Sequence, residues 1–118
     1  GRGNHNHIID LLNRIGYKGQ TRFIDGDSHN ILPQLIQEGA SFDLVTIDGD
    51  HSYEGGEQDL IDGWQLIKSG GWIVFDDITH KLHTYLMDMT KKFEANYNPA
   101  QSIWITDAAN GAVAFQKP

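Results

Sequence analysis

The 118-residue sequence contains no cysteine, which removes disulfides, thiolate metal sites and cysteine nucleophiles together. Any metal must be held by oxygen or imidazole. Long apolar runs are also missing: none approaches the roughly 20 residues that a membrane-spanning helix needs. The polar opening, residues 1–7, lacks the charged-then-apolar layout of a secretion signal. These absences point to a cytoplasmic protein. Basic residues are scarce, with nine Lys and Arg against sixteen Asp and Glu and a formal net charge of −7. A phosphate backbone would find no electrostatic footprint, so nucleic acid is not an expected partner, and neither is a membrane.

What the sequence does hold is aspartate, which supplies twelve of the sixteen acids. Asp favours turns and strand ends over helix interiors, so many of these carboxylates are expected in loops. The length suits one domain, residues 1–118, with a modest core.

Apolar residues at helical spacing over residues 4–15, followed by Gly16, predict an amphipathic helix. Residues 21–24 form a short strand candidate ending in Asp25-Gly26-Asp27-Ser28. Asp27 or Ser28 then caps a helix carrying Ile31, Leu32, Leu35 and Ile36, with Pro33 in its first turn. The run FDLVTI, residues 42–47, is rich in β-formers and nearly continuous in apolar character, as a buried parallel strand should be. A loop over 48–56 leads to a helix with Leu60, Ile61, Trp64 and Ile67 on one face, closed by Ser69-Gly70-Gly71. Residues 72–75 read as a third strand. A further helix opens at Thr79 or His80, carries Leu82, Tyr85, Leu86, Met89 and Phe93, and ends before Tyr97-Asn98-Pro99. Strands over 102–106 and 112–116 flank Asn110-Gly111, the dipeptide suited to a two-residue type I′ turn. Trp64, Trp72 and Trp104 fall within these patterns and read as core.

Strands alternating with helices imply an α/β, doubly wound, mostly parallel sheet, here with a C-terminal antiparallel hairpin. In such sheets ligands bind outside the carboxyl ends of the strands. The segments FIDGDSHN and TIDGDHSY, offset by 23 residues, and FDD after the third strand all bring carboxylates toward that edge. Adjacent strands lie about 4.8 Å apart, so Asp48, Asp76 and Asp77 are candidates to hold one hard divalent cation, Mg²⁺ or similar, which would relieve their mutual repulsion. The competing reading is that these residues cap helices and start turns.

The stretch TRFIDGDSHNILPQL, continued by FDLVTIDGDHSYEGGEQDLIDGWQLIKSGGWIVFDDI, resembles the second half of class I S-adenosylmethionine-dependent methyltransferases. It is most similar to the branch containing catechol O-methyltransferase, the sugar O-methyltransferases of macrolide pathways and cephalosporin-hydroxylase-like proteins. The closing NGAVAFQK resembles the family's last strand more loosely. The resemblance implies a truncated Rossmann-like methyltransferase fold lacking its first two strands, with S-adenosylmethionine as cofactor and a small-molecule hydroxyl as acceptor. It puts the family's three acidic metal positions on Asp48, Asp76 and Asp77. It also makes Asp27, Ser28 and His29, which match the segment along the adenine ring, cofactor contacts together with Asp48. For Asp27 and Ser28 a plain helix-cap role stands beside that one.

His51 occupies the position where sugar-modifying relatives carry a histidine general base. A hydroxyl is a poor nucleophile until deprotonated, and an imidazole titrating near neutrality can take its proton. The alternative is a loop histidine satisfied by neighbouring carboxylates. His5 and His7, on the first helix, and His80 and His83, near the substrate mouth or merely solvated, carry less. The Gly-rich turn and ribose-binding acid of a complete methyltransferase are not found, so a non-catalytic binding or assembly module is a second reading. A third takes Asp48-Gly49-Asp50 as the metal motif of a nucleotide-sugar glycosyltransferase, which leaves SGG-strand-FDD unexplained.

In the complete family fold the first strand lies beside FDLVTI. The expectation is therefore that the strand at 21–24 moves in beside residues 42–47, or that a second copy covers that edge as a homodimer. Either would crowd the cofactor's methionine end and leave S-adenosylmethionine weakly bound or unbound.

Overall fold

A computed structural model describes residue 13 and residues 28–47, 53–76, 78, 85–105 and 111–118. The expected helix at 4–15 apart from residue 13, which is helical, the strand at 21–24 and its pairing, and the start of the helix at 79 or 80 lie outside the described residues.

The described elements are α1 (Ser28–Gln37), β1 (Phe42–Ile47), α2 (Tyr53–Gln65), β2 (Ile67–Asp76), α3 (Tyr85–Tyr97), β3 (Gln101–Ile105) and β4 (Ala112–Gln116). They form a mixed α/β sheet of order β1-β2-β4-β3. β1 and β2 run parallel, while β4 lies antiparallel to both β2 and β3. The βαβ unit and the inserted terminal hairpin are the arrangement expected of the α/β alternation.

Alternate residues of β2 enter two cores, which is why its sequence is apolar on both faces. Ile73 and Phe75 join Ile47, Val113 and Phe115 beneath Leu60 and Trp64 of α2 and Leu86, Met89 and Phe93 of α3. Trp72 and Val74 join Ile105, Ala112 and Ala114 on the opposite face. Trp64 meets Phe93 edge-on at 5.4 Å, and Phe93 reaches Phe115 at 5.5 Å. Aromatic contacts thus tie both helices to β4. All three tryptophans pack in the core, Trp104 being half-buried against Phe115.

Three local expectations are corrected. Ile67 and Ser69-Gly70-Gly71 do not finish α2. The helix ends at Gln65, Leu66 N–H closes on the Gly63 carbonyl at 3.0 Å, and the Leu66 carbonyl accepts from Phe42 N–H at 2.7 Å. β2 therefore begins at Ile67, opposite Phe42, and Lys68-Ser69-Gly70 bulge out before pairing resumes at Leu44 and Trp72. The glycines serve this excursion. Gly70 sits at φ +83°, and a Cβ on Gly71 would lie 2.7 Å from the Asp43 carbonyl oxygen and 3.0 Å from that of Lys68, backbone atoms that cannot turn aside. The C-terminal residues clasp the bulge: Gly70 N–H donates to the Lys117 carbonyl at 2.8 Å, and Lys117 N–H donates to that of Gly71 at 2.9 Å.

Pro33 lies inside α1 and not in its first turn. It cannot donate to the carbonyl four residues back, a loss the helix absorbs near its start. Asn110-Gly111 is not the centre of a two-residue turn, because that would set Ala109 opposite Ala112, whereas Ile105 is the observed partner. The connection spans residues 106–111. Burial selects this register: it sets Trp104 opposite Val113, whereas the tighter turn would set Trp104 opposite Lys117.

Candidate functional site

The parallel pair β1–β2 builds the candidate site. Their ladder runs through Thr46 opposite Val74 and Ile47 opposite Phe75. Asp48 is the residue after Ile47, and Asp76 the residue after Phe75 and the last of β2. The chain therefore leaves two strands about 4.8 Å apart directly into Asp48 and into Asp76-Asp77. Ile47 and Phe75 are 5% and 3% exposed, so both strand ends are anchored in packed core up to the residue before each acid.

Backbone placement also fixes the start of α1, whose first two residues are Ser28 and His29. α1 packs against α2, the helix that begins just beyond the Asp48–Ser52 connection. Asp27, Asp48, His51 and Asp77 lie outside the described residues, as do Asp25, Asp50, His5, His7, His80 and His83. Among the described residues no three His, Asp or Glu side chains gather as a metal site.

Oxygen donors alone, on adjacent strand ends, suit a hard divalent cation and leave positions for an oxygen of a second ligand.

Two features escaped the reading of the sequence. Asp59 is fully buried and Asp62 7% exposed on the α2 flank next to the Leu60–Trp64 stripe, with Gln58 Nε2 donating to Asp62 Oδ1 at 2.9 Å. The only signal was two acids spaced i, i+3 on that flank. A second feature is an open cleft of about 120 Å³ between α2 and α3, lined by Glu57, Ile61, Lys92, Phe93, Asn96 and Tyr97. A Lys92–Glu57 ion pair of 3.3 Å crosses it, and none of the candidate site residues lines it.

Several solved structures that share this architecture are O-methyltransferases. No curated protein matches the sequence. Among solved structures, the O-methyltransferase NovP aligns over 93% of this chain and 43% of its own at 20% identity, with a TM-score of 0.58. Cofactor-bound Rv0187 from MTB aligns over 97% and 58% at 20% identity, TM-score 0.60. The O-methyltransferase from Bacillus cereus in complex with SAH aligns over 98% and 60% at 14% identity, TM-score 0.56. The chain thus shares their fold while spanning about half their length. A family model described as a methyltransferase domain matches residues 3–78. That segment runs through both strand ends of the candidate site and covers more than half of the sequence, and the chain belongs to this family, of the class I S-adenosylmethionine-dependent type.

Proposed function

We propose that this chain is part of an S-adenosylmethionine-dependent, metal-assisted O-methyltransferase acting on a small-molecule hydroxyl. The observation that carries the reading is the parallel register that leads Ile47 into Asp48 across from Phe75 and Asp76, in a chain of a methyltransferase family. Asp48, Asp76 and Asp77 would hold the cation, Mg²⁺ or similar. Asp27, Ser28, His29 and Asp48 would contact the cofactor, Ser28 being the first residue of α1, where backbone N–H groups lack helical partners. When bound, the cofactor supplies an electrophilic methyl group and the cation lowers the pKa of the acceptor hydroxyl. His51 would accept the hydroxyl proton as the oxygen bonds to the methyl carbon and the carbon–sulfur bond breaks, S-adenosylhomocysteine being the leaving group.

The decisive experiment titrates S-adenosylhomocysteine and a uridine-diphosphate sugar into the protein by calorimetry, each with and without Mg²⁺. The proposal expects S-adenosylhomocysteine to bind a protein that carries the complete cofactor-binding half, weakly or not at all to the 118-residue chain alone, and the nucleotide sugar to bind neither. Metal-dependent binding of the nucleotide sugar without any for S-adenosylhomocysteine would favour a glycosyltransferase instead.

Among the described residues β1 pairs on one side only, with Phe42, Leu44, Val45 and Thr46 half-buried. A second copy of the chain is one way to cover that edge. Sedimentation equilibrium then reports a dimer that Leu44→Lys disperses, and a monomer at all concentrations excludes it.

A further inference from the structure

Among the described residues the sheet ends on β1 at one side and on β3 at the other. The two edges carry different chemistry. β1 includes Asp43, whose side chain is 68% exposed beside Lys68, and a charge on an outer strand discourages pairing with another chain. β3 lacks the usual protections of an edge. Its residues Gln101, Ser102, Ile103, Trp104 and Ile105 include no charge and no proline, and all five keep register with β4, so no bulge turns the strand away. Nor is it fully covered: Gln101 is exposed, and Ser102, Ile103 and Trp104 are half-buried. The side chains follow the pattern of an inner strand. Ile103 packs with Trp72, Val74 and Ile105 on one face, and Trp104 meets Phe115 edge-on at 5.7 Å on the other. Large apolar groups on both faces, each left partly open, suit a strand that has a neighbour on either side.

We infer that β3 is the surface through which two copies of this chain pair, edge to edge and antiparallel about a two-fold axis. Charge selects the occupant. Copies of a chain with a formal charge of −7 repel one another, and the uncharged β3 edge lets them meet without setting acid against acid. A two-fold axis presents the strand to itself, and a strand without charge is complementary to its own copy. The pleat then fixes the register. Residues opposite each other must face the same side of the sheet, so the axis passes through a residue, and pairing all five centres it on Ile103. Ile103 lies opposite its copy, and Ser102 lies opposite the partner's Trp104, where a small side chain leaves room for the indole. The four-stranded sheet continues through both copies, with the two β2 strands about 24 Å apart at five strand spacings. The ends of β1 and β2 stay outside this interface, so the inference does not rest on the proposed metal site.

A five-residue edge buries less surface than a standard interface, so the pair should be weak and should grow in with concentration in sedimentation equilibrium. Ile103→Lys sets two like charges face to face and should raise the dissociation constant about a hundredfold. Ser102→Lys places its charge at a half-exposed polar position, spares the core, and should weaken the pair in a protein that melts like the parent. Leu44→Lys, the variant that disperses a pair formed through β1, should leave this one intact. Because the chain lacks cysteine, a single introduced thiol reads the register. Ile103→Cys should cross-link to a covalent dimer under mild oxidation, since directly opposite residues lie about 4.5–5.5 Å apart, within disulfide reach. Gln101→Cys should not, being roughly 14 Å from its copy. A monomer at every concentration would overturn the inference. So would a dimer that Leu44→Lys disperses and Ser102→Lys does not, or one in which Gln101→Cys cross-links more readily than Ile103→Cys.

Discussion

Replacing Asp76 and Asp77 together by Asn should abolish Mn²⁺ binding measured by calorimetry, with little change in the melting temperature. The last residue of β2 is Asp76, and the strand leading to it is held by Ile73, Val74 and Phe75 at 0%, 0% and 3% exposure. The fold up to the site therefore does not depend on the carboxylates. Asn keeps the shape and one oxygen of each group but removes both charges, and hard cations are held chiefly by charged oxygen donors. Any small change in metal-free buffer should be a rise in melting temperature, because clustered carboxylates repel one another. Equal affinity in parent and double variant would show that the cation sits elsewhere.

The second large effect concerns His51. In a protein that carries the complete cofactor-binding half and is active, His51→Ala should lower kcat by about 10²–10⁴-fold, the range for losing a positioned general base. KM for the cofactor should change little, because the residue is assigned to the proton and not to the sulfonium. The loss should be partly reversed by added imidazole. Turnover undiminished in His51→Ala would take it out of the mechanism, and a parallel rise in the cofactor's KM would reassign it to cofactor binding.

Much of the scaffold was legible because local pattern and tertiary burial agree. FDLVTI and WIVF are apolar on both faces, and the structure packs Ile73 into one core and Val74 into the other. The Leu60 and Trp64 stripe and the Leu86, Met89 and Phe93 stripe face one sheet surface as their spacing implies. The misreadings share a cause. Ser69-Gly70-Gly71 has the composition of a helix end, but Gly71 is required by the Asp43 carbonyl, an atom 28 positions away in sequence. The Asn110-Gly111 pair has the composition of a tight turn, yet the register follows the burial of Trp104 and Ile105. Local chemistry permits both structures in each case, and a long-range contact selects one.

The site divides in the same way. Strand ends carrying acids are visible in sequence because a parallel strand must stop and expose polar groups at a common edge. What packs above the strands that lead there is invisible in sequence: Gly63 looks like a weak point in a helix until Ile47 and Ile73 are found beneath it. Buried Asp59 gave no usable signal for the same reason, since only packing distinguishes it from a solvated helical acid.

The central claim, that divalent metal and acceptor hydroxyl meet at the carboxyl ends of β1 and β2, is tested most directly by paramagnetic broadening. Substoichiometric Mn²⁺ added to ¹⁵N-labelled protein should first erase the amide signals of residues 47–51 and 75–78, leaving Glu57, Lys92 and Tyr97 at the α2–α3 cleft sharp. Broadening centred on that cleft, or none at millimolar Mn²⁺, would contradict it.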